Sequence, residues 1–239
     1  MLKAVLFDLD GTLLPMNEES FIPKYLNLLA NRMEPRGYNK EDFIKVLWSG
    51  TKKMYLNDGS KSNEQVFWDE FTSFFGKDCL KDKAYVDEFY TNEFLQTKSE
   101  CKENSLAKKI VKFVKDNNLL CILSTNPIFP SVGTITRMSY IDLLESDFDF
   151  VTFYENFNFT KPNPMYFKKL LEKYSLKPEE VILIGNNELE DAWCANQVGI
   201  KAYLVKDYLI TSDKLIEKAE IISMEEVIPV IKKEMELRR

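Results

Sequence analysis

The chain has 239 residues, 45% hydrophobic and 29% charged, with a formal net charge of −6. This composition excludes a disordered polymer and argues against a dedicated nucleic-acid binder, because phosphate-backbone affinity rests on clustered Lys and Arg. The absence of histidine excludes Ser-His-Asp and Cys-His catalysis and histidine-ligated zinc or iron sites.

In chain order, the apolar run Ala4-Val5-Leu6-Phe7 is the kind expected for a fully buried strand. The chain enters this run and an acidic loop at once, leaving no room for a signal peptide, and no apolar stretch approaches the roughly 20 residues that span a bilayer. A cytoplasmic protein with no membrane partner is expected. Between 18 and 94 no buried strand is evident, and the stretch predicts several helices. Phe67, Trp68, Phe71, Phe74 and Phe75 fall at helical spacing, as do Tyr25, Leu26 and Leu29, which predicts a helix-bundle core. Residues 106–114 predict a helix with Leu106, Ile110, Phe113 and Val114 on one face and a solvated lysine face opposite; Asn117-Asn118 turns the chain into the next strand. Further apolar runs predict strands at 119–123, 150–153, 181–184 and 202–205, with helices at 164–174 and 188–198. Lys232-Lys233 and Arg238-Arg239 suit a helix C-terminus. Cys79, Cys101, Cys121 and Cys194 contain no CxxC pair and predict free thiols.

Alternating strands and helices imply an α/β fold, a Rossmann-like parallel sheet with helices on both faces. The expected division is a core of residues 1–17 and 95–239 with an all-helical unit at 18–94.

Four segments carry chemistry. Phe7-Asp8-Leu9-Asp10-Gly11-Thr12-Leu13 follows the first strand, at the strand end where open parallel sheets bind ligands. Its two carboxylates at i and i+2 make a compact acidic nest. A calcium loop could begin the same way, but the later ligands and the closing Glu are missing. Cys121-Ile122-Leu123-Ser124-Thr125-Asn126 ends a strand with a hydroxyl, Lys161-Pro162-Asn163-Pro164 precedes a helix, and Val181 to Asn186 runs out of a strand toward Asp191.

Together, in this order, the four resemble the motifs of the haloacid dehalogenase (HAD) superfamily: hhhhDxDGT, a strand-ending hydroxyl, KPxP and GDxxxxD. The resemblance implies a phosphatase-type hydrolase with Asp8 as covalent nucleophile and Asp10 as general acid and base. Thr125, with Ser124 as its neighbouring alternative, would donate to a phosphoryl oxygen. Asn126 and Lys161 would also bind substrate, and Lys161 would offset charge. Asp10 would start protonated, its pKa raised by the neighbouring carboxylate. Magnesium would be held by Asp8, Asp10, Asn186 and Asp191, with Asn186 standing where the family has Asp. Helices inserted after the first motif would form the family's cap, favouring a small phosphorylated metabolite, and Gly50-Thr51-Lys52-Lys53 faintly resembles a cap loop, the alternative being an exposed turn. Dehalogenases lack the second Asp, so Asp10 favours phosphate chemistry; a phosphomutase or a non-catalytic binding protein are the other readings. Oligomeric state is not legible.

Overall fold

Six short strands among the described residues build one parallel sheet: β1 (Ala4–Phe7), β2 (Leu120–Leu123), β3 (Phe150–Val151), β4 (Val181–Gly185), β5 (Lys201–Val205) and β6 (Glu220–Ile222). Their order is β3-β2-β1-β4-β5-β6. The structure is a computed structural model, and it describes residues 1–213 and 219–238. β1 lies between β2 and β4, with Ala4 opposite both Leu120 and Val181. The pleat sends alternate side chains to opposite faces. Val5, Phe7, Leu123 and Ile184 join one apolar cluster, whereas Ala4, Leu6, Ile122 and Leu183 join the other.

Helices cover both faces. On the first, α5 (Ala107–Asp116) buries Ala107, Ile110, Val111 and Val114, leaving Lys108, Lys109, Lys112 and Lys115 exposed as their spacing predicted. On the second, α7 (Met165–Tyr174) buries Tyr166, Phe167, Leu170 and Leu171. The expected α/β fold with helices on both faces is what the chain forms.

Between β1 and α5 lie four further α-helices and no strand. They are α1 (Glu18–Met33), α2 (Lys40–Tyr55), α3 (Asn63–Phe75) and α4 (Lys83–Thr91). Asn17 and Asn39 cap α1 and α2 by accepting from backbone amides, and Ser62 with Gln65 forms a capping box on α3. The aromatic stripe behaves as the spacing predicted except at one position: Trp68 and Phe71 are buried, but Phe74 is 54% exposed. Asn63, fully buried, ties this unit to the core, donating to the Pro127 carbonyl at 3.0 Å and accepting from Asn57 at 2.8 Å.

Several expectations are corrected. Gly50 to Lys53 is neither cap loop nor turn but part of α2, with Gly50 packed so closely on Phe67 that a Cβ there would overlap the ring. The strand expected at 150–153 pairs only at Phe150 and Val151; beyond it the Thr152 amide still donates to the Leu123 carbonyl at 3.1 Å and its hydroxyl to the Thr125 carbonyl at 2.6 Å. β6 carried no apolar signal, its Glu220 and Ile221 being exposed on the sheet edge. The helix expected at 188–198 is a π-helical turn, Glu188–Trp193, running into the short α8 (Cys194–Asn196). After α6 (Ser131–Ser139), the last helix is α9 (Val227–Leu237). Lys232 and Lys233 lie within α9, whereas Arg238 reaches away to the carbonyls of Glu179 and Val181 at 2.7 and 3.1 Å. Arg239 lies outside the described residues. Among the described cysteines all four are free; Cys79, Cys121 and Cys194 are buried and Cys101 is half-buried.

Candidate active site

The chain runs from β1 to β2 and β3 on one side, then returns to place β4 on the other, so the strand order reverses beside β1. Loops leaving the carboxyl ends of β1 and β4 splay apart there and leave a crevice. Asp8, Thr125 and Asn186 are the residues that step off β1, β2 and β4 into it. A cavity of about 180 Å³ occupies the crevice, lined by Asp8, Asp10, Thr125, Asn126, Lys161, Asn186 and Asp191. The topology thus brings together all seven residues singled out in the sequence.

At its centre the Lys161 ammonium, 1% exposed, donates to Asp8 Oδ1 at 2.7 Å and Asp191 Oδ1 at 2.6 Å. Burial alone would push this lysine's pKa down, but the Asp191 and Asp8 carboxylates outweigh it and hold the group above the ordinary lysine range. Burial pushes Asp8 above the usual carboxylate range, and Lys161 opposes that shift. The remaining oxygen of Asp191 accepts from the amides of Asn186 and Asn187, both at 3.0 Å. Asp191 therefore anchors Lys161 and the loop after β4, and its Oδ1 keeps a lone pair.

Gly11 lies at φ +77, a conformation that favours glycine, and a Cβ there would overlap the Asn186 amide. This close approach lets the Thr12 hydroxyl stand 3.3 Å from Asp8 Oδ2 and 3.1 Å from Asn186 Oδ1. Two oxygens from different strands thus converge on one point. Hard oxygen donors of this type suit magnesium, which is satisfied by few protein ligands plus water. Among the described residues no three Asp, Glu, Cys or His side chains make a metal cage, so the fit rests on Asp8, the Asn186 amide oxygen and the Asp10 segment.

Ser124 is fully buried and directs its hydroxyl to the Phe7 carbonyl at 3.2 Å, which leaves Thr125 as the one of the two that lines the cavity. Asn126 is a clamp: it accepts from the Lys161 amide at 3.1 Å and donates to the Lys161 carbonyl at 3.2 Å and Glu190 Oε2 at 2.9 Å. Its amide is committed to holding the Lys161 loop.

Residues that sequence reasoning missed surround Asp10. Arg137, on α6, is fully buried with Nε 3.3 Å from Asp10 Oδ1, and its guanidinium carbon lies 4.0 Å over the Phe129 ring. Its Nε and Nη1 and the Asp10 Oδ1 find no hydrogen-bond partner within the protein. Asp10 sits above the ordinary carboxylate range, as expected, with burial as the chief cause, partly reversed by the Arg137 and Lys161 cations. Nothing in the run from Ser131 to Ser139 signals this role, since Arg137 lies 127 positions from its partner. Tyr55, on α2, hydrogen-bonds Glu190 Oε1 at 3.1 Å and accepts from Asn126 at 3.1 Å, carrying the helical unit into the site.

A family model described as haloacid dehalogenase-like hydrolase matches residues 5–205. Pyrophosphatase PpaX of Bacillus cereus is 27% identical over 186 residues, 78% of this chain and 75% of that protein. Glyceraldehyde 3-phosphate phosphatase of Pyrococcus furiosus is 29% identical over 103 residues, 41% of this chain and 40% of that protein. In fold, the chain resembles an HAD phosphatase from Thermococcus onnurineus with a TM-score of 0.60 and 21% identity, covering 96% of this chain and 98% of that one.

Proposed function

The chain belongs to the haloacid dehalogenase-like hydrolases, and from that premise we propose that it is a magnesium-dependent phosphatase of small-molecule phosphate monoesters with Asp8 as its nucleophile. The observation that carries this reading is the Lys161 ammonium held between Asp8 and Asp191 in the cavity wall. A phosphate monoester carries close to two negative charges, and a carboxylate nucleophile approaches it only where cations offset them. Lys161 stands 2.7 Å from the attacking carboxylate and supplies one such charge. Bound magnesium would supply further charge neutralisation, with Asp8, Asn186 and the Asp10 segment as its protein ligands.

In the first half-reaction an Asp8 oxygen forms a bond to phosphorus as the ester P–O bond breaks, and Asp10 gives its proton to the departing alkoxide. In the second, Asp10 takes a proton from water as that water attacks the aspartyl-phosphate, releasing phosphate and restoring Asp8. Burial keeps the Asp10 carboxyl above its usual range, in the direction that donation requires. The Thr125 hydroxyl would bind a phosphoryl oxygen, while Asn126 and Asp191 position Lys161. Residues 18–94 act on this reading as a cap over the leaving group. Among the described residues no helix is long and apolar enough to cross a membrane; the free thiols and a soluble metabolite as substrate support a cytoplasmic location.

The test is phosphate release from p-nitrophenyl phosphate with and without magnesium, in the wild type and in Asp8→Asn. The wild type should turn over only with metal. Asp8→Asn should keep its circular dichroism spectrum while losing activity by about 10⁴-fold or more, as removal of a covalent nucleophile does elsewhere. Full activity in Asp8→Asn would overturn the mechanism.

A further inference from the structure

A second cavity of about 110 Å³ opens beside the first, between α1, α2, α3 and the loop that precedes α6. Ile22, Trp48, Thr51, Ile128 and Phe129 line both, so the chamber is a continuation of the catalytic cavity on the side away from the strand ends. Resting on the phosphatase reading of Asp8, we propose that this chamber is the leaving-group subsite and that the substrate is a phosphate monoester of an uncharged, apolar alcohol, alkyl or aromatic.

The chamber's chemistry selects that class. No charged residue lines it, and rings of Phe67, Trp68, Phe71 and Tyr154 make much of its wall. Its few polar groups are already engaged: the hydroxyls of Tyr25 and Tyr90 lie 3.0 Å apart, Trp68 Nε1 donates to the Tyr154 hydroxyl at 3.4 Å, and the Thr51 hydroxyl donates to the Leu47 carbonyl at 2.9 Å. A charged leaving group would lose water there and meet no opposite charge, and a hydroxylated one would find few partners. Protein interiors rarely keep voids larger than a water molecule, so an apolar space of this size joined to a catalytic cavity is a feature that only an apolar occupant fills. Its volume is somewhat below the ~150 Å³ of a cavity that takes up benzene, which suits a short alkyl chain or one ring. Trp48 stands 50% exposed at the junction, an unusual surface position for a large ring and a suitable wall for an apolar guest.

Charge in the catalytic cavity excludes the competing class. Asp8, Asp10, Glu18, Glu190 and Asp191 line it against Lys161 and Arg137, and Lys161 is already engaged by two of the carboxylates. A leaving group bearing its own negative charge, such as the second phosphate of pyrophosphate, would meet Glu18 and Glu190 with no free lysine to receive it and only Arg137, already facing Asp10, as a cation.

The experiment uses the magnesium-loaded protein and alkyl phosphates whose leaving alcohols have nearly equal acidity: ethyl, butyl and 2-phenylethyl phosphate, with pyrophosphate as the anionic counterpart. Specificity constants should rise by about tenfold or more from ethyl to 2-phenylethyl, the range set by filling an apolar pocket, and pyrophosphate should fall below ethyl phosphate. Val86→Trp, which narrows the chamber from α4, should shrink the 2-phenylethyl-to-ethyl ratio toward one; if that variant does not fold, the wild-type series decides alone. Equal constants for ethyl and 2-phenylethyl phosphate, or a preference for pyrophosphate, would overturn the apolar subsite while leaving the phosphatase reading intact. If neither these esters nor p-nitrophenyl phosphate is turned over, the phosphatase reading fails and the subsite falls with it.

Discussion

The strand ends and the helical unit hold themselves together by opposite means. At the strand ends, polar groups are buried and most are bonded at least twice: Lys161 to two carboxylates, Asp191 to Lys161 and two amides, Asn126 to both sides of the Lys161 peptide. In the helical unit rings pack on rings, with Phe43, Phe71 and Phe75 around Tyr38 and with Phe89, Tyr90 and Phe94 around Tyr25. Hydrogen-bond networks have narrow geometry and fix atoms where a reaction needs them. Aromatic packing specifies shape with fewer directional demands and tolerates a void. On the proposed reading chemistry and selection belong to different parts of the molecule, joined by one apolar cluster and by hydrogen bonds such as those of Asn63 and Tyr55.

The strongest way to break this contrast is at the network's centre. Lys161→Met leaves Asp8 and Asp191 buried without their cation. Breaking a buried ion pair in this way costs about 3–5 kcal/mol, read as the shift in urea unfolding, and activity should vanish with it. A stability loss below about 1 kcal/mol would show that the network is not what holds the strand ends. A smaller effect is expected where the two parts meet. Asn63→Ala leaves the Pro127 carbonyl and the Asn57 amide without their partner, costing about 1–3 kcal/mol. Because the change lies at the join, KM should rise for bulky esters more than kcat falls. An equal loss on small and bulky esters would assign Asn63 to general stability instead. The smallest effect sharpens the metal assignment. Asn186→Asp replaces an amide dipole by a full charge, and the magnesium concentration for half-maximal rate should fall by about tenfold. Unchanged metal dependence would remove residue 186 from the ligand set.

The seven residues singled out in the sequence were legible because each sits within a few positions of a strand or helix end, where short-range signals are strong. An apolar run stops, a carboxylate, hydroxyl or amide follows, and a glycine such as Gly11 marks the turn. Gly50 to Lys53 misled for the converse reason: a glycine beside two lysines imitates a turn, yet Gly50 is there to let α2 pack on Phe67. Arg137 left no trace, because a lone arginine on a helix is ordinarily solvated, and only burial beside Asp10 gives it meaning.

The sequence by itself determined the alternation of strands and helices, the parallel sheet, the position of the helical unit between β1 and β2, and the identity of the groups at the strand ends. These depend on local sterics, on residue periodicity and on which side chains the backbone places after a strand. Only the tertiary structure decided how those groups are arranged: that Asp191 and Asn126 hold Lys161, that Asp10 is buried beside Arg137, and that α1, α2 and α3 leave an apolar chamber beside the crevice. Desolvation, void volume and pairing geometry are properties of surfaces brought together from distant parts of the chain, and no window of the sequence contains both sides of such a contact.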